Sequence, residues 1–189
     1  AVASGDTETI RSALANHGAR INASAVMMLS LGGNLEISTD RQISGATAQR
    51  LSTQVMLRQR EGMQIFLMPI ADKIYLLVQA TVSAPLPIAR VMMGFQVDDA
   101  FAAELRELTH LDLTLQATQD GMADIWISTL QPAQREQLQG DVSALANDAI
   151  SLIGEEYYLN QTLVLASGEG FAVRALLHKS LSQAQEAFA

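Results

Sequence analysis

Four side chains on two predicted strands have the types and spacing of a ligand-binding face. Residues 73–82 and 89–97 alternate with the period of two that strands require. On the face opposite a row of apolar neighbours, this alternation places Tyr75, Gln79, Arg90 and Met92. If a predicted helix over residues 46–61 covers that face, Tyr75 and Arg90 point into a covered cleft. An arginine there needs an anion, either a carboxylate of the protein or one of a ligand. The alternative is a sheet face that is exposed to solvent.

The residues that usually carry out catalysis or bind metals are few and widely separated. His17, His110 and His178 lie in three different predicted elements, without the spacing of metal ligands, so we expect each to be structural or solvated. The chain has no cysteine, which excludes disulfides, thiolate zinc sites and cysteine nucleophiles. No Gly-x-Ser-x-Gly elbow is present, so an extracytoplasmic hydrolase lacks its nucleophile–base pair. We therefore expect no catalytic residue, no metal, no cofactor and no enzymatic activity in this chain.

Two pairs of carboxylates have simpler explanations than chemistry. Asp98 and Asp99 precede a helical stripe, where acidic side chains cap the helix and complement its dipole. Glu155 and Glu156 are neighbours on a predicted strand, so they point to opposite faces and do not enter one site.

The second half of the chain has a polar strand face of its own. This face is predicted to bear Tyr158, Asn160, Thr162 and Arg174. The neighbouring Tyr157 and the single tryptophan, Trp126, are expected in the core.

Composition limits the possible partners. The 189 residues carry a formal net charge of −8, and their twelve basic residues are scattered, which argues against binding nucleic acid or an anionic membrane surface. With 49% hydrophobic residues the chain can bury a sizeable core. No segment reaches the ~20 consecutive apolar residues that a membrane helix needs.

The order of the predicted elements repeats along the chain. Ile37-Ser38-Thr39 ends the second strand of the first half, and Ile127-Ser128-Thr129 ends that of the second half. In both halves a helix and then antiparallel strands follow. The repeat predicts an α+β fold with two PAS-like modules in series, a long N-terminal helix and a C-terminal exit helix. The predicted divisions are an N-terminal helix at 1–24, modules at 25–108 and 109–180, and an exit helix from 181–189.

The chain from about Ala25 onward resembles a known family. PIADKIYLLVQATVSAPLPIARVMMGFQVDDAFAAELRELTHLDLTL and the tail GEEYYLNQTLVLASGEGFAVRALLHKSLSQAQEAF are similar to the extracytoplasmic double Cache sensory domains of bacterial membrane signalling proteins. The likeness is greatest to domains that precede GGDEF and EAL output domains. These motifs are structural and indicate no ligand. The Tyr, Arg, Trp and Asp signature of amino-acid-binding members is not matched, since Trp126 lies in the second module.

The resemblance implies a function. It implies a periplasmic ligand-sensing domain of an inner-membrane protein, held between membrane helices outside this chain and controlling cyclic-di-GMP turnover in the cytoplasm. Residues 25–108 would be the membrane-distal module and 109–180 the membrane-proximal one. The expected partners are an unknown small molecule and a second copy bound through the N-terminal helix. The alternative is a ligand-free dimerisation or protein-interaction module of a receptor of the histidine kinase or chemoreceptor type.

Overall fold

The computed structural model describes residues 4–140 and 149–186. Within them, the chain forms five helices and ten strands. The first seven elements are α1 (Ser4–Arg20), β1 (Ala25–Leu29), β2 (Leu35–Ser38), α2 (Gly45–Arg60), β3 (Ile65–Ile70), β4 (Lys73–Ser83) and β5 (Pro87–Val97). The others are α3 (Asp99–Thr109), β6 (Asp112–Gln119), β7 (Ile125–Ser128), α4 (Pro132–Gly140), β8 (Ala149–Ile153), β9 (Glu156–Gly168), β10 (Phe171–Ser180) and α5 (Leu181–Glu186). The sequence PAQREQLQGDVSALAND, with Pro132 in its first turn, predicts a helix over 132–148, which is described as far as Gly140. The remainder lies outside the described residues.

The strands form two antiparallel five-stranded sheets with the same topology. Their orders are β2-β1-β5-β4-β3 and β7-β6-β10-β9-β8, so the first and last strands of each half lie side by side. This confirms the predicted α+β fold and its internal repeat. The sequence analysis missed β8, a five-residue strand that pairs with β9 at the edge of the second sheet.

The chain divides into two compact units between Gln96 and Val97. The helix α3 belongs to the second unit by this division, whereas the sequence analysis placed the module boundary near Leu108. Each unit contains one of the two sheets.

Helices pack on both faces of the first sheet. On one face α1 contacts β1 and β2 so closely that a Cβ on Gly18 would lie 2.7 Å from Cγ2 of Val26. The helix α2 contacts β2 and β3, the two edge strands of the sheet. Its 16 residues span about 24 Å, which is enough to cross five strands. Because α1 occupies the Val26 face, α2 covers the opposite face, to which Met27 points.

The covered face of the first sheet forms the core of this unit. The side chains of Met27, Leu29, Leu51, Val55 and Leu77 are all fully buried. Burial of each stabilises the fold by about 1.5–3 kcal/mol in transfer free energy. The β1–β2 turn also packs against α2, because a Cβ on Gly33 would lie 2.6 Å from Met56.

In the second unit, α3 begins as its sequence predicts. Asp98 is its N-cap, and the Asp98 carboxylate accepts a 3.0 Å hydrogen bond from the backbone N–H of Phe101. The helix ends at His110, which has a left-handed backbone with φ 55°. The core of the unit contains a cluster against which Trp126 packs, made of Leu130, Leu138, Ile153, Tyr158 and Leu176.

The structure corrects two predictions about side-chain direction, the first being that the apolar row of β5, from Ala89 to Val97, points inward. On β5 the buried residues are Arg90, Met92, Gly94 and Val97, whereas Ala89, Val91, Met93 and Phe95 are half-buried. The apolar row is therefore not the more buried face.

The second correction concerns the two consecutive tyrosines of β9. Tyr157, expected in the core, is 58% exposed, and Tyr158 is buried at 4%. Alternation lets only one of two adjacent residues point inward, and the residue types do not reveal which one does.

None of the described helices is long and apolar enough to span a membrane.

Candidate functional site

The candidate site is the α2-covered face of the first sheet. On this face β1 and β5 pair in register, which places Arg90 beside Leu29 and Met92 beside Met27. A Cβ on Gly94 would lie 3.1 Å from the Tyr75 ring, so β4 presents Tyr75 to the same face. Gln79, four residues further along β4, points the same way. The structure thus brings the four predicted residues to one covered face, named here the Arg90 face and defined by Tyr75, Gln79, Arg90 and Met92.

Arg90 is the cationic residue among these four and is 9% exposed. Its Nη1 donates a 2.6 Å hydrogen bond to the carbonyl oxygen of Leu31, in the β1–β2 turn. None of the ion pairs within residues 4–140 and 149–186 includes Arg90. A guanidinium has five N–H donors, and a neutral carbonyl does not compensate its charge. The charge is therefore buried without a carboxylate of the described chain beside it.

Tyr75 is 1% exposed and already has a protein partner. Its hydroxyl donates a 3.2 Å hydrogen bond to Oδ2 of Asp40, in the segment that joins β2 to α2. Burial, and then the charge of Asp40, raise the pKa of the Tyr75 phenol. The hydroxyl therefore stays protonated and acts as a donor rather than as a base.

Two glutamine oxygens near this face have no hydrogen-bond donor. Oε1 of Gln79 is buried without a partner, and so is Oε1 of Gln54 on α2. Gln54 is 4% exposed and belongs to the buried stripe of α2 with Leu51 and Val55. Gln54 was not among the predicted site residues. Its position three residues after Leu51 and next to Val55 does indicate that it lies on the apolar face of α2. An unsatisfied buried acceptor costs about 1–3 kcal/mol, so both oxygens are competent to receive a ligand donor.

Met92 supplies the apolar part of the Arg90 face. It is fully buried, as are the neighbouring Met27 and Leu29. The face thus offers free guanidinium donors for an anion, amide oxygens for a donor group and a thioether for apolar contact. This set is suited to binding and contains no nucleophile next to a base.

The polar residues of the second unit mostly satisfy one another. His178 is fully buried, with Nδ1 2.7 Å from Oδ1 of Asn160 and Nε2 3.1 Å from Oγ1 of Thr114. Burial lowers the pKa of His178 to about 4, so the ring is neutral near pH 7. Thr114 in turn lies 2.7 Å from the hydroxyl of Ser128. Since its polar atoms are paired, this network is structural.

The other predicted candidates are less buried. Arg174 is exposed and Thr162 is half-buried, so of the predicted polar face only Tyr158 and Asn160 are buried. His17 and His110 are exposed. Within the described residues no group of three or more His, Cys, Asp or Glu side chains is placed to hold a metal ion.

Comparison with known proteins gives a likeness of fold. Neither a protein-family model nor a curated protein matches this sequence. Solved sensor domains do match. The V. cholerae histidine kinase DctB sensor domain is 12% identical with TM-score 0.45, covering 94% of this chain and 80% of that one.

Two chemoreceptor domains match in the same range. The ligand-binding domain of the Pseudomonas aeruginosa PAO1 amino acid chemoreceptor PctB, in complex with L-Arg, is 10% identical with TM-score 0.46, over 96% of this chain and 75% of that one. The sensory domain of the Campylobacter jejuni chemoreceptor Tlp3, with isoleucine bound, is 9% identical with TM-score 0.43, over 96% and 76%. At such identities the ligands of those proteins do not transfer to this chain.

Proposed function

We propose that this chain is the ligand-sensing extracytoplasmic domain of a membrane signalling protein, of the double Cache type. Its ligand is a small molecule with an anionic group, bound at the Arg90 face of the first unit. The observation that carries this proposal is the buried guanidinium of Arg90, which has one hydrogen bond and no carboxylate partner among the described residues.

The physical argument is the cost of an uncompensated buried charge. Removing a charged group from water without a partner costs several kcal/mol, and a nearby anion recovers much of that free energy. A carboxylate or phosphate can accept two parallel N–H bonds from one guanidinium, which a single carbonyl does not. The interaction of Arg90 with an anionic ligand is therefore more favourable than its hydrogen bond to the carbonyl oxygen of Leu31.

The other residues of the Arg90 face determine the remainder of the ligand. The unpaired oxygens of Gln54 and Gln79 favour a ligand that also carries N–H or O–H donors. Met92 favours an apolar portion between the two polar ends. Tyr75 and Asp40 stay paired and hold the segment between β2 and α2 in place.

Signalling requires that ligand binding differ in affinity between two states of the protein. In this proposal the chain lies in the periplasm between membrane helices outside residues 1–189, and α1 and α5 lead towards them. Two copies associate through the N-terminal helix, residues 1–24, and the cytoplasmic output makes or degrades cyclic-di-GMP. Cellular cyclic-di-GMP measured with the full-length receptor, with and without Arg90→Ala, tests the output separately from binding.

A second candidate is a ligand-free dimerisation or interaction module of a receptor. The observation in its favour is the close packing of the Arg90 face, where Tyr75 is bonded to Asp40 and Met92 is fully buried. This candidate expects Arg90 to be paired with an internal carboxylate, and the ion pairs of the described residues do not include it.

A thermal-shift screen against small carboxylates, phosphates, neutral amines and nucleobases tests the ligand site. A ligand at 100 times its dissociation constant adds about 2.7 kcal/mol, which raises Tm by a few degrees at this size. We expect the shift from an anion only, and we expect it to be lost in Arg90→Ala and reduced in Arg90→Lys, which keeps the charge without the planar fork.

Arg41→Ala is the matched control, because Arg41 is an exposed arginine in the same unit. It changes net charge equally and is expected to keep the shift. A shift that survives Arg90→Ala, or a screen in which no anion stabilises the protein, contradicts the proposed site and favours the ligand-free module.

A further inference from the structure

The second unit exposes a continuous apolar surface on one face of β8 and β9. In the register of these strands Ile150 pairs with Leu159 and Leu152 with Tyr157, so all four point to the same side. Leu163 continues the row along β9. The exposed fractions of the five residues are 60% for Ile150, 47% for Leu152, 58% for Tyr157, 41% for Leu159 and 40% for Leu163. They define the β8–β9 patch.

The remainder of that sheet face is covered. Leu163 pairs with Ala175 on β10, which pairs with Leu115 on β6, so these three residues form one row across the sheet. Ala175 and Leu115 are each 4% exposed, and α3 contacts β6 and β7 at this end. The row is thus buried at one end and exposed at the other. Among the described elements α5 contacts β9, and the five patch side chains stay at least 40% exposed.

The β8–β9 patch differs from the rest of the molecule in charge. The whole chain has a net charge of −8, but the patch contains no charged residue, and Gln161 is the polar residue within it. The nearest cation on this face is Lys179, which pairs with Leu159 and is half-buried. Electrostatic repulsion between two acidic molecules is therefore lowest when they approach through this surface.

We infer that the β8–β9 patch binds the same patch of a second copy of this chain. The exposed area of its five side chains is roughly 500 Å², at the upper end of what monomers leave uncovered. Two such patches packed face to face, with their polar rims, reach the ~1,200 Å² at which specific protein interfaces begin. An uncharged apolar surface can pack against its own copy across a two-fold axis, the commonest symmetry of homodimers. This contact is separate from the one proposed for residues 1–24.

Sedimentation equilibrium of the chain and of Leu159→Asp tests the inference. The chain is expected to dimerise, and the dimer is expected to survive or tighten with added salt because the interface has no ion pairs to screen. Placing two buried carboxylates at the two-fold contact is expected to weaken the dimer by about tenfold or more. Leu86→Asp is the matched control, since Leu86 is a 73% exposed leucine in the other unit, and it is expected to leave the dimer unchanged.

Cross-linking gives an independent readout. The chain has no cysteine, so Tyr157→Cys and Leu86→Cys each provide a single thiol. With a short bis-maleimide we expect covalent dimers from Tyr157→Cys and none from Leu86→Cys, while circular dichroism confirms that all variants fold.

Three results overturn the inference. The first is a chain that stays monomeric at all concentrations. The second is a monomer whose β8–β9 patch binds lipid vesicles instead. A dimer that is unaffected by Leu159→Asp shows that the copies associate elsewhere, such as through the N-terminal helix.

Discussion

Arg90 carries a charge into the interior of the first unit with one hydrogen bond, to the carbonyl oxygen of Leu31. In the proposed function, this unfavourable environment in the free protein serves the binding of an anion rather than stability. The unpaired oxygens of two glutamines, Gln79 on β4 and Gln54 on α2, support the same interpretation. We therefore expect the charge of Arg90 to favour ligand binding and to lower the stability of the free protein.

That opposition gives a prediction for Arg90→Met. Methionine fills similar volume without a charge to desolvate, so the free protein is expected to be as stable as the wild type or about 1 kcal/mol more stable. The anion-dependent stabilisation is expected to vanish in the same variant. Urea unfolding with and without the anion found in the screen measures both effects. A loss of more than about 2 kcal/mol in the free protein would mean that Arg90 is a structural residue.

His178 gives a pH dependence of stability. Its pKa is lowered from 6.5 to about 4 by burial, so the unfolded chain binds the proton more tightly. The contribution of neutral His178 to the free energy of unfolding is fully present above pH ~6.5. It decreases as the pH falls towards ~4, by up to ~1.4 kcal/mol per pH unit. Between pH 7 and about pH 5.5 we expect a loss of about 1 kcal/mol in urea unfolding.

Two variants separate this effect from the titration of other groups. In His178→Gln the decrease over that pH range is expected to disappear, although overall stability is lower. In His17→Gln, which changes an exposed histidine, the decrease is expected to remain. An unchanged pH dependence in His178→Gln would contradict the assignment.

At the scale of elements, local sequence signals determine where helices begin. The carboxylate of Asp98 accepts the N–H of Phe101 and so satisfies one of the free donors in the first turn of α3. Asp99 lies within the first turn and contacts other groups, with Oδ1 3.3 Å from the N–H of Ser128. The two aspartates therefore have different roles, which their sequence does not distinguish.

The cap gives a prediction with an internal control. Asp98→Ala removes the acceptor and is expected to cost about 1 kcal/mol of stability, whereas Asp98→Asn keeps a capping oxygen and is expected to cost a few tenths. Thermal unfolding of the three proteins at neutral pH measures the difference. Equal losses in both variants would indicate that the charge of Asp98, rather than its hydrogen bond, stabilises α3.

At the scale of the molecule, the repeat builds two similar sheets with different surfaces. In the first unit α1 and α2 lie on opposite faces of the sheet, and a buried cation lies beneath α2. In the second unit the polar atoms around His178 are paired with one another, and the apolar side chains of the β8–β9 patch are exposed. The same topology thus supports a proposed ligand site in one unit and a proposed contact between copies in the other.

The sequence alone determined the α+β class, the repeat, the positions of most elements and the presence of four side chains on one strand face. These depend on local alternation, turn residues and caps, which act over a few residues. It did not identify the strand β8, whose five residues are too few to give a strong period.

Only the tertiary structure decided which strand faces are buried, because alternation defines two faces without saying which one a helix will cover. Arg90 and Tyr158 are buried and Tyr157 is exposed for this reason. The hydrogen bond of Tyr75 to Asp40 joins segments 35 residues apart, and that of Arg90 to Leu31 joins segments 59 residues apart. Such contacts follow from how helices and sheets pack, and no local pattern in the sequence encodes them.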